Sequence, residues 1–110
     1  MASISLLTQA KELETQINGI MSSFDVTDLP AKQRELVAQL KHQLVDVRLD
    51  ARDYEYAQTR AEQSQAAVAG RKRLAELHKG VLKASEHNMF GAVDTAQISA
   101  RIEQLMSEME

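Results

Sequence analysis

Between Pro30 and Phe90 the chain contains no proline, and its only glycines there are Gly70 and Gly80. So little turn material cannot divide that stretch into many strands, and its residues run instead in helical periodicity. Composition agrees. Apolar residues make up 44% of the 110 but aromatics only 4%, so a core must come from Leu, Ile, Val, Met and Ala, which suit helices better than sheets. The expected fold class is all-α: a long central helix with shorter N- and C-terminal helices folded back on it, in coiled-coil or helical-bundle packing, as one domain over residues 1–110.

The first helix is expected over about residues 3–23, because Leu6, Ala10, Leu13, Ile17, Ile20 and Phe24 alternate at spacings of four and three. Asp28 then serves as the expected N-cap of a helix with Pro30 in its first turn. Whether residues 29–90 form one helix or two is a matter of capping. A start after Gly70 would set Arg71, Lys72 and Arg73 against the positive end of the helix dipole, with no capping side chain ahead. The one internal N-cap pattern is Thr59-x-x-Glu62, and no glycine or proline precedes it. One continuous helix is therefore favoured, with a break between 59 and 70 as the alternative. At the C-terminus Gly91 suits a C′ position, Asp94 and Gln97 have capping-box spacing, and Val93 with Ile98 matches a hydrophobic staple. The last helix is expected over 94–109, with Ile98, Ile102, Leu105 and Met109 as its stripe.

A continuous central helix would be about 90 Å long, against about 30 Å and 24 Å for the two covering helices, leaving about 35 Å without a neighbour. Its exposed middle carries a heptad-like seam of Val37, Leu40, Leu44, Val47, Ala51, Tyr54, Gln58, Ala61, Gln65 and Val68. On that reading a second chain completes the packing. The flanking charges, Lys41 and Arg48 followed by Glu55 and Glu62, reverse sign about Arg52 and Asp53. An antiparallel homodimer would therefore bring Lys41 toward Glu62 and Arg48 toward Glu55 of the second copy.

The chemistry-bearing residues are few. His42, Asp46 and Asp50 stack at i, i+4 and i+8 and could offer a metal an imidazole and carboxylates, but they lack the Glu-x-x-His pattern of bundle di-metal sites. His78 and His87 share no face. No nucleophile elbow, P-loop, dinucleotide fingerprint or zinc-protease motif occurs, and a chain without cysteine has no thiol nucleophile. No catalysis, metal or cofactor is expected.

Net charge is −3 and the pI about 5.6, which disfavours a protein built to neutralise phosphates. The one basic concentration is Arg71, Lys72, Arg73, Lys79 and Lys83, and Glu76 interrupts it as in a solvated i, i+4 ladder. Of Tyr54 and Tyr56, two apart on a helix, one should pack and one face water. Met89 and Phe90 read as core. No basic leader followed by an apolar run opens the sequence, and no apolar run approaches the roughly 20 residues that cross a bilayer, so a cytoplasmic location without membrane contact is expected. The expected function is a helical protein–protein interaction module, whether adaptor, regulator or chaperone-like binder, with itself and an unidentified protein as partners. The alternative is a small nucleic-acid-associated regulator using residues 71–83.

Overall fold

The computed structural model describes residues 5–109 and contains four α-helices: α1 Leu6–Met21, α2 Ala31–Glu55, α3 Arg60–Glu86 and α4 Ala92–Glu108. A single 3-10 turn, Val26–Asp28, lies between α1 and α2, and no strand occurs among the described residues. The expected helix start at residue 3 and the last acidic residue, Glu110, lie outside those residues.

Residues 29–90 are two helices, not one. The chain turns through Tyr56, Ala57, Gln58 and Thr59, so α2 and α3 form an antiparallel hairpin. Thr59 is the N-cap of α3: its Oγ1 accepts the Glu62 N–H at 3.1 Å, and Glu62 Oε2 accepts the Gln58 N–H at 3.1 Å. The return bond falls one residue earlier than in the usual capping box. Energetics explain why the chain folds back without glycine or proline. A straight helix leaves its apolar stripe wet, whereas the hairpin buries Leu40, Leu44, Leu74 and Leu77 to 1% exposure or less. Burial at roughly 1.5–3 kcal/mol per such side chain outweighs three or four lost helical hydrogen bonds at about 1 kcal/mol each. The expectation that the helix runs unbroken through Gly70 and Gly80 holds within α3.

The four helices close into a ring in which α1 packs on α2, α2 on α3, α3 on α4 and α4 on α1. Specific contacts fix the antiparallel sense. The Leu7 N–H at the start of α1 donates to Glu55 Oε1 at the end of α2 (3.1 Å), Gln16 of α1 meets Gln97 near the start of α4 (3.4 Å), and His78 of α3 meets Ser99 of α4 (3.0 Å). The result is an up-down-up-down bundle measuring 47 × 28 × 18 Å. Its core is the sum of four stripes, including the expected Leu6, Ala10, Leu13 and Ile17 of α1 and Ile98, Ile102, Leu105 and Met109 at the α4 end.

Helix ends differ from the expected caps in four places, the first being Asp94, which lies inside the first turn of α4 and forms no capping box with Gln97. Asp28 does not cap α2; its N–H closes the 3-10 turn onto the Asp25 carbonyl, while Pro30 holds the N-cap position without a side-chain bond. Proline forces extended backbone on Leu29, which carries Asp28 away from the first turn of α2. Gly91 is the N-cap of α4 and not the C′ residue of the helix before it. That role belongs to Asn88, whose φ of 58° is left-handed. The Asn88 N–H donates to the Ser85 carbonyl and the Met89 N–H to the Ala84 carbonyl, a complete Schellman closure with buried Met89 as its apolar contact. Val93, 70% exposed, makes no staple with Ile98.

Gly70 and Gly80 sit inside α3 because neighbours approach too closely for a side chain. A Cβ on Gly80 would lie 2.8 Å from Leu40 Cδ2, and one on Gly70 would lie 2.6 Å from Met109 Sδ.

Candidate interaction surface

Most of the expected seam is spent inside the chain. Val37, Leu40, Leu44, Val47 and Ala51 are buried in the bundle core, and Tyr54 is half-buried with its hydroxyl 3.5 Å from the Glu108 carbonyl. Ala61 and Val68 are exposed on the first turns of α3 and share no line with the others, because the turn at 56–59 separates them. The flanking charges also have local partners. Arg48 Nε lies 3.7 Å from Glu14 Oε1, Glu55 accepts the Leu7 N–H, and Glu62 caps α3, while exposed Lys41 has no ion pair among the described residues. The uncovered helix that asked for a second copy is thus replaced by a hairpin that covers itself.

The polar cluster between α2 and α3 is an ion-pair network. Arg73 reaches across to Asp46 Oδ2 at 3.1 Å and to Asp50 Oδ2 at 2.6 Å, the latter angled poorly for a hydrogen bond, while exposed His42 lies 3.6 Å from Asp46. Burial raises the Asp50 pKa above its ordinary value. Arg73 pulls it back down, and Asp53 and Asp46 push it up again. No group of three His, Asp or Glu among the described residues has metal-binding geometry. The basic stretch is likewise divided: Arg73 is committed to α2, Arg71 is half-buried, and Lys79 and Lys83 line a cleft with Glu76 against Leu36, Gln39 and Gln43.

A different surface emerges along the outer side of α1 and α2. At about 100° per residue, Arg34, Lys41, Arg48 and Arg52 fall on the side of α2 toward α1, while Glu35, Asp46, Asp50 and Asp53 fall toward α3. Most of the charge on α2 is therefore divided between two edges, with Glu55, which accepts the Leu7 N–H, as the acidic exception on the α1 side and Lys32 as the basic one toward α3. Between its basic edge and α1 lie two depressions in line. One, about 260 Å³, is lined by Leu7, Lys11, Arg48, Leu49 and Arg52; the other, about 370 Å³, by Glu14, Asn18, Ser22, Lys41 and Val45. Val45 and Leu49, one turn apart, are each 38% exposed there.

Sequence reasoning missed this face because it placed Lys41 and Arg48 beside a seam facing a second chain. The available signal was the four-residue step from Val45 to Leu49 outside the core stripe.

No helix among the described residues is long and apolar enough to cross a membrane. Comparison of the chain with known protein families, with curated proteins and with solved structures finds no match.

Proposed function

We propose that this protein is a non-catalytic helical interaction module, a small adaptor, regulator or chaperone-like binder acting in the cytoplasm, and that the outer face of α1 and α2 is its docking surface. One observation carries the reading: Val45 and Leu49 stand in line outside the complete inward stripe of α2, and each leaves 38% of its surface open to a partner. Helix-in-groove recognition uses anchors of this kind, apolar side chains one or two turns apart beside a shallow cleft. The rims support it, since long Lys and Arg side chains cover apolar surface with their stems while their charges stay in water.

A benzophenone amino acid at position 49 of the full chain tests the proposal. On irradiation in cells it is expected to cross-link to another polypeptide, while the same probe at exposed Gln104 of α4 is not. Equal adducts from both positions, or none from position 49, overturn it.

A further inference from the structure

Resting on the docking face proposed above, we infer that its partner is an acidic amphipathic helix that inserts two apolar side chains seven residues apart.

The spacing follows from the two depressions. The α2 residues of one centre near position 43 and those of the other near position 50. Seven residues of helix rise about 10.5 Å, the distance between side chains at i and i+7 of a helix lying alongside. The exposed strip from Lys41 to Arg52 extends about 17 Å, room for about three turns.

The sign follows from the rim. Lys11, Lys41, Arg48 and Arg52 outnumber the carboxylates beside them, which are Glu14 at 3.7 Å from Arg48 Nε, Asp53 at 4.0 Å from Arg52 and Glu55 on the Leu7 N–H, in a chain whose net charge is −3. A positive rim on a negative protein selects its partner by charge. Through this face a second copy would set Lys41, Arg48 and Arg52 against the same residues. The strip is also concave and presents aliphatic, not aromatic, side chains, which suits a helix better than a lipid surface.

The test uses a fluorescein-labelled peptide of about 18 residues, two leucines seven apart on a helix otherwise rich in Glu and Ala, titrated with the full chain and followed by anisotropy. The same peptide with Lys for Glu, a short RNA duplex and phosphatidylserine vesicles are run alongside. The acidic peptide is expected to bind with Kd of about 10–100 μM at low salt, weakening several-fold as salt rises to about 0.3 M. Leu49→Gln should weaken it about tenfold. Combining Lys11→Glu with Arg52→Glu should transfer preference to the lysine peptide. All three positions are surface residues, and circular dichroism checks that the helices persist. Equal binding of both peptides, or of neither, overturns the acidic-helix inference, as does binding of the vesicles or RNA alone. If the acidic peptide binds and Leu49→Gln leaves it unchanged, the docking face itself is wrong.

Discussion

Replacing a helix-interior glycine with alanine ordinarily stabilises a protein, and in this bundle two glycines should respond with opposite signs. Gly19 in α1 has nothing within 4 Å of the position its Cβ would take, so Gly19→Ala should gain about 0.5–1 kcal/mol from the stiffer unfolded chain. Gly80 gains the same term, but its Cβ would lie 2.8 Å from Leu40 Cδ2, and Leu40 is fully buried. Packed leucines yield only by leaving a preferred rotamer or shifting backbone, which costs about 1–3 kcal/mol. Gly80→Ala should therefore be net destabilising by about 1 kcal/mol, roughly 2 kcal/mol below Gly19→Ala. With a urea slope of about 2 kcal/mol/M the two midpoints would differ by about 1 M, easily read by circular dichroism at the helix band. Leu40→Val removes the offending methyl. In that background Gly80→Ala should turn stabilising, the coupling expected of residues in contact. If Gly80→Ala stabilises the otherwise unaltered chain as much as Gly19→Ala does, the close approach of α2 and α3 at this point is refuted.

Three further outcomes are expected. Thr59→Ala removes the side-chain cap of α3 and should cost about 1 kcal/mol in chemical denaturation, with Thr59→Gly costing less; no loss in either would remove Thr59 from the turn. Asn88→Ala should cost about 1 kcal/mol because its φ is 58°, while Asn88→Gly should be tolerated; equal melting temperatures for both would contradict the left-handed closure. Arg73→Ala leaves Asp50 without its cation and should destabilise by about 1–2 kcal/mol at neutral pH, the exposed flank of Arg73 limiting the loss. Since burial holds the Asp50 pKa above its unfolded value of 3.8, its native state takes up a proton first, so this residue's share of stability is greatest below 3.8 and is lost as pH rises through the raised value. Unfolding of Arg73→Ala at pH 4 and pH 7 should show the smaller deficit at pH 4, and Asp50→Asn should flatten that difference.

The helices themselves were legible where the stripes were dense. Leu6, Ala10, Leu13 and Ile17, and Ile98, Ile102, Leu105 and Met109, read as core from spacing alone and are buried. The hairpin was visible only as an alternative, because its turn uses Tyr, Ala, Gln and Thr, which no breaker rule marks. Its signal lay in the seam. Gln58, Ala61 and Gln65 interrupt the apolar series, and a series that lapses for two turns describes a place where nothing needs covering, not a loosely packed interface. Gly70 was weighed as a break, and Gly80 noted as turn material, when the cause of both was contact with other parts of the bundle, which a one-dimensional reading cannot supply. The candidate docking face was illegible for the same reason: Leu7, Lys11 and Leu49 become neighbours only when α1 lies antiparallel to α2.

The order of helices around the ring governs how the chain reaches its native state. Three of its four contacts, α1 with α2, α2 with α3 and α3 with α4, join segments adjacent in sequence, and only α1 with α4 spans most of the chain. Short loop closures can therefore precede the one long closure, which comes at little extra entropy once the intervening hairpins are in place. Low contact order of this kind places folding in the microsecond-to-millisecond range. Core substitutions in the α2–α3 hairpin should slow folding, whereas core substitutions at the α1–α4 contact, such as Leu13→Ala or Ile98→Val, should chiefly speed unfolding.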